Sequence, residues 1–568
     1  MRRQTGFSCS RLKRGLQYER GLLLGEAINM RSRRMSACGF DFVVVGAGAA
    51  GCVVASRLSE DRELRIALLE AGGGDGALIM RIPGANVATG TDPRYNWAYQ
   101  SEPVPQLGGR TLYWAQGKVI GGSGSINGMM YMRGHRADYD RWEREGADGW
   151  GYEDVLPYFR KSETNERGAS ALHGGGGPLQ VSRGRGTAPV CDLYLQSAAA
   201  SGFLIADDLN ADLPEAFGHV DLTIGGGLRS STSVAYLRPA LRRGNITVLT
   251  RATVTRVIIE AGEARGVEFM QDGARQRLMA SRGVVLCGGA VNSPQLLMLS
   301  GIGDADHLRA HGIAVAVDSP DVGRNLQNHP MYRMMYATTA PVSAYSHIRP
   351  LGAARAGLQY ILRRTGVLSR GLFPTSGYFH AEPGDPSSEV QVCMAPALVI
   401  RRKPGLLGIL PQEHGFTLLL NHGSPFSRGE VRLKSGDPLM HAEISPNYFS
   451  DPRDIRILAR AAKRVQDMVR AGPLGRVLGR ELQPAKPTAT NAEITADIRA
   501  TAATHYHAAG TCRMGSDPRA VVDPQLRVNG ISRLHVADAS VMPVLVNGNT
   551  YAPTIMIAEK AADLIRAG

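Results

Sequence analysis

Two histidines one residue apart, His505 and His507 in the stretch THYHAAGTCRMG, are the side chains best suited to acid–base or metal chemistry. An imidazole titrates near neutral pH and also binds metals through a neutral ring nitrogen. The spacing alone allows a pair of metal ligands, an acid–base pair or ordinary packing. No further His, Cys or carboxylate cluster accompanies the pair at ligand spacing, so a metal site is the least favoured of these.

A second functional pattern lies near residue 50. The apolar run at residues 42–45 predicts a short buried strand, and GAGAAG at residues 46–51 then opens a helical pattern. A second apolar strand ends at Glu70, nineteen positions after Gly51. This order is the dinucleotide-binding fingerprint, in which a pyrophosphate lies at the helix N-terminus and the acid holds the ribose hydroxyls. The motif does not distinguish FAD from NAD.

The composition is that of a globular protein of more than one domain, with 568 residues, 43% hydrophobic and 20% charged. The seven cysteines are scattered and never form a CxxC pair, which predicts reduced thiols and a cytoplasmic location. No apolar run approaches the roughly 18 residues of a transmembrane helix.

The net charge of +14 is unevenly distributed. Residues 1–34 contain nine Lys or Arg against two Glu, which is half of the excess. A nucleic-acid partner is therefore not predicted. We expect residues 1–38 to be a disordered leader outside the fold, with a targeting peptide or a membrane-surface patch as alternatives.

Longer blocks resemble the glucose–methanol–choline (GMC) family of flavin oxidoreductases, in the family's order from about residue 41 to the C-terminus. The subgroup that they resemble is the choline-dehydrogenase-like alcohol dehydrogenases and oxidases. The blocks are GKVIGGSGSINGMMYMRG (117–134), GGAVNSPQLLMLSGIG (288–303), DVGRNLQNHP (321–330), HYHAAGTCRMG (505–515) and HVADASVMPVLVNGNTYAPTIMIAEKAAD (535–563).

The resemblance implies an α/β fold with a Rossmann-like, doubly wound FAD-binding domain and an α+β substrate-binding cap built on an antiparallel sheet. The FAD-binding domain would comprise residues 39–165, 225–330 and 500–568, and the cap residues 166–224 and 331–499. Alternating residues at 245–270 predict strands with a hairpin. Residues 348–366 predict an amphipathic helix with a basic face. This helix is either an ordinary solvated surface helix, or it lines the entrance to the substrate pocket or contacts a membrane.

The resemblance also implies FAD as the cofactor. Members with covalent FAD carry His at the position of Ile126, so we expect non-covalent binding here. Gln116 and Asn328 depart from the family's usual Arg and Asp, and we expect both to adjust surface or supporting contacts. The residues implied to bind FAD are Gly46, Gly48, Ala50, Gly51, Glu70, Ala71, Val119, Gly122, Asn127, Gly128, Met129, Val254, Asp538, Ala539 and Asn549.

By the same resemblance, His507 is the general base and Asn549, 42 residues further on, hydrogen-bonds the substrate oxygen. An alcohol must lose a proton and a hydride, and the flavin N5 takes the hydride. His505 is expected to be structural or to support His507. Tyr551 lies near the substrate or packs, and Cys512 is expected to be buried and inert.

The resulting hypothesis is oxidation of a primary alcohol to the aldehyde, with oxygen, a quinone or another carrier as electron acceptor. The basic stretch at residues 399–405 ranks aliphatic and aromatic alcohols above choline. Three alternatives stay open: a flavin-containing lyase, a photoenzyme on the same fold, and a non-catalytic flavin-binding protein. Peripheral contact with an inner membrane is also open, and the sequence indicates no oligomeric state.

Overall fold

A computed structural model describes residues 39–213, 215–399, 413–484 and 490–568. The predicted leader and most of the basic stretch at 399–405 lie outside these residues. The first of two large sheets has a parallel part, formed because short apolar strands are buried on both faces. Its strands are, in spatial order, Ile246–Thr250, Ile66–Glu70, Phe40–Val45, the last residues of Ala274–Leu286, and Leu534–Val536.

The first sheet continues as an antiparallel meander of Thr253–Glu260, Glu263–Gln271 and Ala274–Leu286. The last of these strands has 13 residues, so its beginning pairs with the meander and its end pairs in parallel with Phe40–Val45. The strands and hairpin predicted for residues 245–270 are therefore present.

Helices cover the parallel strands and bury their apolar side chains. Ala49–Leu58 packs on the C-terminal helix Tyr551–Ala567, and Gly289–Leu299 follows directly after the longest strand. Arg57 on the first helix forms an ion pair of 2.7 Å with the buried Glu559 on the last. The N-terminal and C-terminal parts of the chain thus pack into a single hydrophobic core beside the glycine-rich turn.

The second sheet is antiparallel over most of its width. Three helices pack beside it: Pro189–Ala200, Pro452–Ala471 and Asn491–Thr501. Its main strands are, in spatial order, Leu478–Gln483, Pro330–Thr338, Gly415–His422, Glu389–Ala395, Thr375–His380, Ala216–His219 and Ile205–Ala206.

The distribution of strands over the two sheets suggests how the domains divide. We propose a cofactor unit of residues 39–165, 225–330 and 500–568 and a cap of residues 166–224 and 331–499. The short strand Ala503–Thr504 pairs with Pro330–Thr338 of the second sheet, so both segments lie at the junction. Further helices are Arg136–Arg144, Tyr152–Ser162, Ala305–Ala310 and Pro350–Arg363. Over the described ranges, no helix is long and apolar enough to cross a membrane.

Candidate active site

The glycine-rich turn joins the first strand to the first helix. Gly46 has φ +95°, which side chains rarely adopt, and it directs the chain sharply into Ala49–Leu58. A Cβ at Gly51 would lie 1.9 Å from the carbonyl oxygen of Gly46, so only glycine lets the helix approach the strand. The turn leaves the N-terminus of a ten-residue helix free of any side-chain cap, as an anion site requires.

Glu70 lies at the end of the neighbouring parallel strand and is buried. Its two carboxylate oxygens accept hydrogen bonds from the backbone N–H groups of Ala47, at 2.9 Å, and Gly72, at 2.8 Å. Burial raises the pKa of Glu70 to about 7, although these hydrogen bonds and Lys118 act in the opposite direction. The carboxylate is therefore fixed beside the turn, where a ribose hydroxyl could be bound.

A cavity of about 350 Å³ opens in front of the turn. Trp97, Lys118 and His441 contribute to its wall, and the Lys118 ammonium lies 4.2 Å from the centre of the Trp97 ring. Lys118 was not predicted as a cofactor residue, although it lies in the family-like block at residues 117–134. Its positive charge would favour the binding of a pyrophosphate in this cavity. The cofactor residues expected from sequence that line the cavity are Gly46, Gly48, Glu70, Ala71, Gly122 and Val254.

The loop after the cavity contains Asn127, whose side-chain oxygen accepts hydrogen bonds from Met129 N–H, at 3.0 Å, and Arg229, at 2.7 Å. Arg229 is buried and also donates to the carbonyls of Met80 and Gly124. Burial lowers the pKa of Arg229 to about 10. No spacing rule indicates such an arginine, because its role depends on which loop folds over it.

Asp538, expected to contact FAD, has its carboxylate engaged by protein donors. It accepts from Gly289 N–H at 2.8 Å, from Ser293 at 2.6 Å, and from the N–H and hydroxyl of Ser540. It thereby ties the turn at Ala539 to the start of helix Gly289–Leu299. The other expected cofactor residues outside the cavity wall are Ala50, Gly51, Val119, Asn127, Gly128, Met129, Ala539 and Asn549.

The two histidines of the opening motif come to lie beside a third. Residues 503–509 run antiparallel to residues 327–331, with Gln327 and Ala509 exchanging both backbone hydrogen bonds at 3.0 Å. This pairing brings His329 Nδ1 to 2.9 Å from His507 Nδ1. On its other side, His329 Nε2 lies 2.8 Å from the carbonyl oxygen of Gly423.

These contacts fix the tautomers of two imidazoles. A carbonyl can only accept, so His329 Nε2 carries the hydrogen that is donated to Gly423. His329 Nδ1 is then the acceptor, and His507 Nδ1 donates to it. The lone pair of His507 is consequently on Nε2, which lies 3.1 Å from the amide nitrogen of Asn549. His507 thus presents a proton-accepting nitrogen to Asn549.

The electrostatics of the cluster keep all three imidazoles neutral. Burial lowers the pKa of His507 well below its usual value, and the neighbouring His505 and His329 lower it further. Burial lowers the pKa of His505 to about 4 and is the main cause that lowers that of His329 to about 3. Their neutral forms are the ones that can accept a proton at physiological pH.

No third candidate lies at ligand spacing from the histidine pair in the sequence, but the fold brings His329 beside it. One ring nitrogen from each of His329, His505 and His507 lies within 4.8 Å of the other two. His505 Nδ1 is buried, and no residue in the described part of the chain forms a hydrogen bond with it. The third histidine comes from 176 residues earlier in the chain than His505, so ligand spacing could not reveal it.

The side chain of Asn549 is held by a strand of the second sheet. Its side-chain oxygen accepts from Gln391 Nε2 at 3.4 Å, and the same Gln391 amide donates to the Tyr378 hydroxyl at 3.1 Å. Gln391 is buried in strand Glu389–Ala395 and was not singled out from the sequence. With its oxygen engaged, the Asn549 amide presents its N–H donors beside His507.

Three other residues receive a definite placement. Asn328 is buried and accepts from the backbone N–H of His507 at 2.8 Å, while its amide donates to Thr504 at 2.6 Å. Tyr551 packs on Gly124 and its hydroxyl accepts from Thr232 N–H at 3.0 Å, in agreement with the packing alternative. Cys512 is buried, and burial raises the pKa of its thiol well above the usual range.

Comparison with known proteins identifies the class that this fold and site define. The N-terminal and C-terminal family models described as GMC oxidoreductase match residues 40–331 and 425–558. The chain belongs to the GMC oxidoreductase family, and it is an FAD-dependent oxidoreductase acting on the CH–OH group of donors.

Individual relatives narrow the subgroup to the choline-dehydrogenase-like members. Mitochondrial choline dehydrogenase of Mus musculus is 42% identical over 98% of this chain and 95% of its own length. Oxygen-dependent choline dehydrogenase of Paraburkholderia phymatum is 39% identical over 94% and 93%. Pyridoxine 4-oxidase from Mesorbium loti has a similar structure, with a TM-score of 0.83, 32% identity and coverage of 93% and 100%. Formate oxidase superposes with a TM-score of 0.87 at 27% identity, covering 93% and 98%.

The hydrogen bond from His507 to His329 makes a prediction for the variant His329→Leu. Leucine offers no hydrogen-bond acceptor to His507 Nδ1, so the ring hydrogen of His507 can move to Nε2. In that tautomer Nε2 has no lone pair with which to accept a proton. We expect kcat/KM to fall by about tenfold to 10⁴-fold. The upper value is the loss of rate seen when the histidine of a catalytic triad is held in the wrong tautomer. His329→Gln, which retains an acceptor oxygen, should recover part of the loss. Unchanged kinetics in both variants, with full flavin content, would remove His329 from the site's function.

Acid should destabilise the protein through the buried His505. Its pKa is about 4 when folded and near 6.5 when unfolded, so the unfolded chain binds the proton first as the pH falls. Stability is therefore lost from pH 6.5 downwards, at up to about 1.4 kcal/mol per pH unit. The unfolding temperature of His505→Gln should depend less on pH than that of the wild type between pH 6.5 and 4. The exposed His347→Gln serves as the control and should keep the wild-type slope.

Proposed function

We propose that this protein oxidises a primary alcohol to the aldehyde, with His507 as the general base and Asn549 as hydrogen-bond donor to the substrate oxygen. The observation that carries the proposal is the chain of contacts from Gly423 through His329 to His507 Nδ1, which leaves the His507 Nε2 lone pair facing Asn549. A binding protein would gain nothing from this arrangement.

The geometry supports one order of events. A hydroxyl oxygen placed beside both groups accepts from Asn549 Nδ2 and donates its proton to His507 Nε2. As negative charge develops on the oxygen, the amide hydrogen bond strengthens and favours the transition state. His507 then becomes positively charged, and the acceptor nitrogen of His329 stabilises its Nδ1 hydrogen.

FAD, when bound, supplies the acceptor for the α-hydride. The glycine-lined turn, Glu70 and Lys118 fit its dinucleotide part, since they offer free backbone N–H groups, a fixed carboxylate and a cation around one cavity. We propose that binding is non-covalent, because Ile126 offers no nucleophile. Acid precipitation should release all of the flavin into the supernatant.

We propose an uncharged aliphatic or aromatic alcohol as substrate, ahead of choline. A quaternary ammonium is usually held by aromatic faces or a carboxylate. Among the described residues, the side chains that hydrogen-bond to His507 or Asn549 are His329, Asn328 and Gln391, and none of these is a carboxylate. The solved pyridoxine 4-oxidase, at 32% identity, is named for an aromatic alcohol, which favours the same class.

Choline is the second candidate, because two relatives at 42% and 39% identity are named choline dehydrogenases. The electron acceptor is oxygen, a quinone or another carrier. One relative is named oxygen-dependent and two solved neighbours are oxidases. We further propose a cytoplasmic location for the protein.

A substrate panel tests the proposal. Benzyl alcohol, a long-chain primary alcohol, choline and a polyol are each incubated with the FAD-loaded protein, in air and with a soluble artificial acceptor under nitrogen. We expect an uncharged alcohol to give aldehyde with kcat/KM above that of choline. Product only in air would identify an oxidase, and product only with the artificial acceptor a dehydrogenase. Higher kcat/KM for choline would reject the substrate assignment while retaining the reaction.

A further inference from the structure

The helix Pro350–Arg363 exposes its apolar side. Leu351, Leu358, Ile361 and Leu362 are 88%, 59%, 78% and 70% exposed. The residues of the helix that are buried are Ala356 and Tyr360, one turn apart, so the helix rests on the protein by a narrow stripe. The four large aliphatic side chains instead lie on the outward and flanking surfaces, the reverse of an ordinary surface helix.

The helix is anchored rather than loosely attached. The Tyr360 hydroxyl donates to the Gly227 carbonyl at 3.0 Å, and the helix packs on the turn at Val367–Ser369. That turn contacts Pro83–Ala85, which follows the short helix Leu78–Arg81. The apolar side chains are therefore presented by a fixed element.

A neighbouring segment also exposes apolar side chains. Leu78 and Ile79 on the short helix Leu78–Arg81 are 68% and 38% exposed. The short helix is joined to the longer one through the turn Val367–Ser369, which contacts both Pro350–Arg363 and Pro83–Ala85. The exposed apolar surface is thus not confined to a single turn.

The same region is strongly basic. Between residues 348 and 370 the sequence has five arginines and no Asp or Glu. Arg349, Arg355, Arg363 and Arg364 are exposed, and no ion pair joins any of them to another residue that the structure describes. An apolar stripe flanked by unpaired arginines is the arrangement of helices that lie on anionic membrane surfaces.

We infer that helix Pro350–Arg363 docks the protein onto the surface of a membrane containing anionic phospholipids. The leucine and isoleucine side chains would enter the boundary of the acyl chains, and the arginines would contact the lipid phosphates. Residues 1–34, with nine basic residues against two Glu, carry the wrong charge to cover this face. A second copy of the chain placed face to face would oppose the same arginines. The inference does not depend on which alcohol is oxidised.

Vesicle flotation of the FAD-loaded full chain tests the inference. The vesicles are phosphatidylcholine alone or mixed with phosphatidylglycerol, at low and at high salt. We expect flotation with the anionic vesicles that weakens with salt. Leu358→Glu/Ile361→Glu should reduce the bound fraction at least about tenfold, and Arg355→Gln/Arg363→Gln about fivefold per arginine. Leu204→Glu, at a leucine that is 54% exposed outside this helix, is the matched control and should bind like the wild type.

The variants should keep full flavin content and activity with a soluble acceptor, because the substituted side chains face solvent. Absence of flotation with anionic vesicles would overturn the inference. So would flotation of Leu358→Glu/Ile361→Glu equal to that of Leu204→Glu, which would assign binding to another part of the chain. A dimer that Leu358→Glu/Ile361→Glu converts to a monomer, measured by light scattering, would instead identify the face as a self-association surface.

Discussion

His507→Ala is expected to lower kcat/KM for the alcohol by about 10²–10⁴-fold, the usual contribution of a general base. The variant should remain folded and yellow, because His507 is not part of the wall of the dinucleotide cavity. The loss should be smallest at high pH, where hydroxide in solution can replace the missing base. The measurement is the pH dependence of kcat/KM, with flavin content determined on the same preparation.

The exposed His347→Gln is the control for this variant and should leave kcat/KM unchanged. The expected effect depends on the lone pair of His507 Nε2 and not on the bulk of the ring. His507→Gln, which fills similar space without a basic nitrogen, should therefore be as slow as the alanine variant. A variant that keeps more than about a tenth of the wild-type kcat/KM would contradict the general-base assignment.

Gly51→Ala is expected to abolish FAD binding. The added Cβ would lie 1.9 Å from the Gly46 carbonyl oxygen and 3.3 Å from the Cys287 Cβ, so no flexible side chain can move aside. Relief requires the helix to move away from the strand, at a cost of about 1–3 kcal/mol or more. That displacement shifts the helix N-terminus at which the pyrophosphate should be bound. The ratio of flavin to protein after purification, and the unfolding temperature, measure the effect.

Gly74→Ala is the matched control, since a Cβ there meets no atom within 4 Å. It adds the same methyl group four residues beyond Glu70, so it reports any general effect of alanine in this region. Full flavin content in Gly51→Ala would mean that the turn can widen without loss, and the role assigned to Gly51 would be wrong.

Patterns of neighbouring residues predicted the first strand, the glycine-rich turn and the first helix. The strand, the turn at Gly46 and the helix depend on residues within about ten positions of one another. Glu70 follows in the next strand, and parallel pairing places it beside the turn. Asn549 and His507 are 42 residues apart, and only the resemblance paired them before the structure placed them 3.1 Å apart.

The residues that sequence reasoning missed are those whose role depends on long-range contacts. His329 was visible as the histidine of the NHP block, yet nothing in that block indicates the pairing of residues 327–331 with 503–509. Gln391 and Arg229 carry no local signal, because a buried amide or guanidinium is recognised by the groups around it. Helix Pro350–Arg363 was predicted as amphipathic, but periodicity does not state which of its faces packs on the protein.

Alcohol oxidation by the bound flavin can be observed by anaerobic mixing of the FAD-loaded protein with a primary alcohol. We expect the visible flavin band to bleach, and to bleach more slowly with the α-deuterated alcohol, because the bond broken is the one that carries the hydride. His507→Ala should bleach with the same alcohol at a rate lower by about 10²–10⁴-fold. A flavin that stays oxidised with every alcohol of the panel, in a folded and fully loaded protein, would show that the protein does not oxidise primary alcohols.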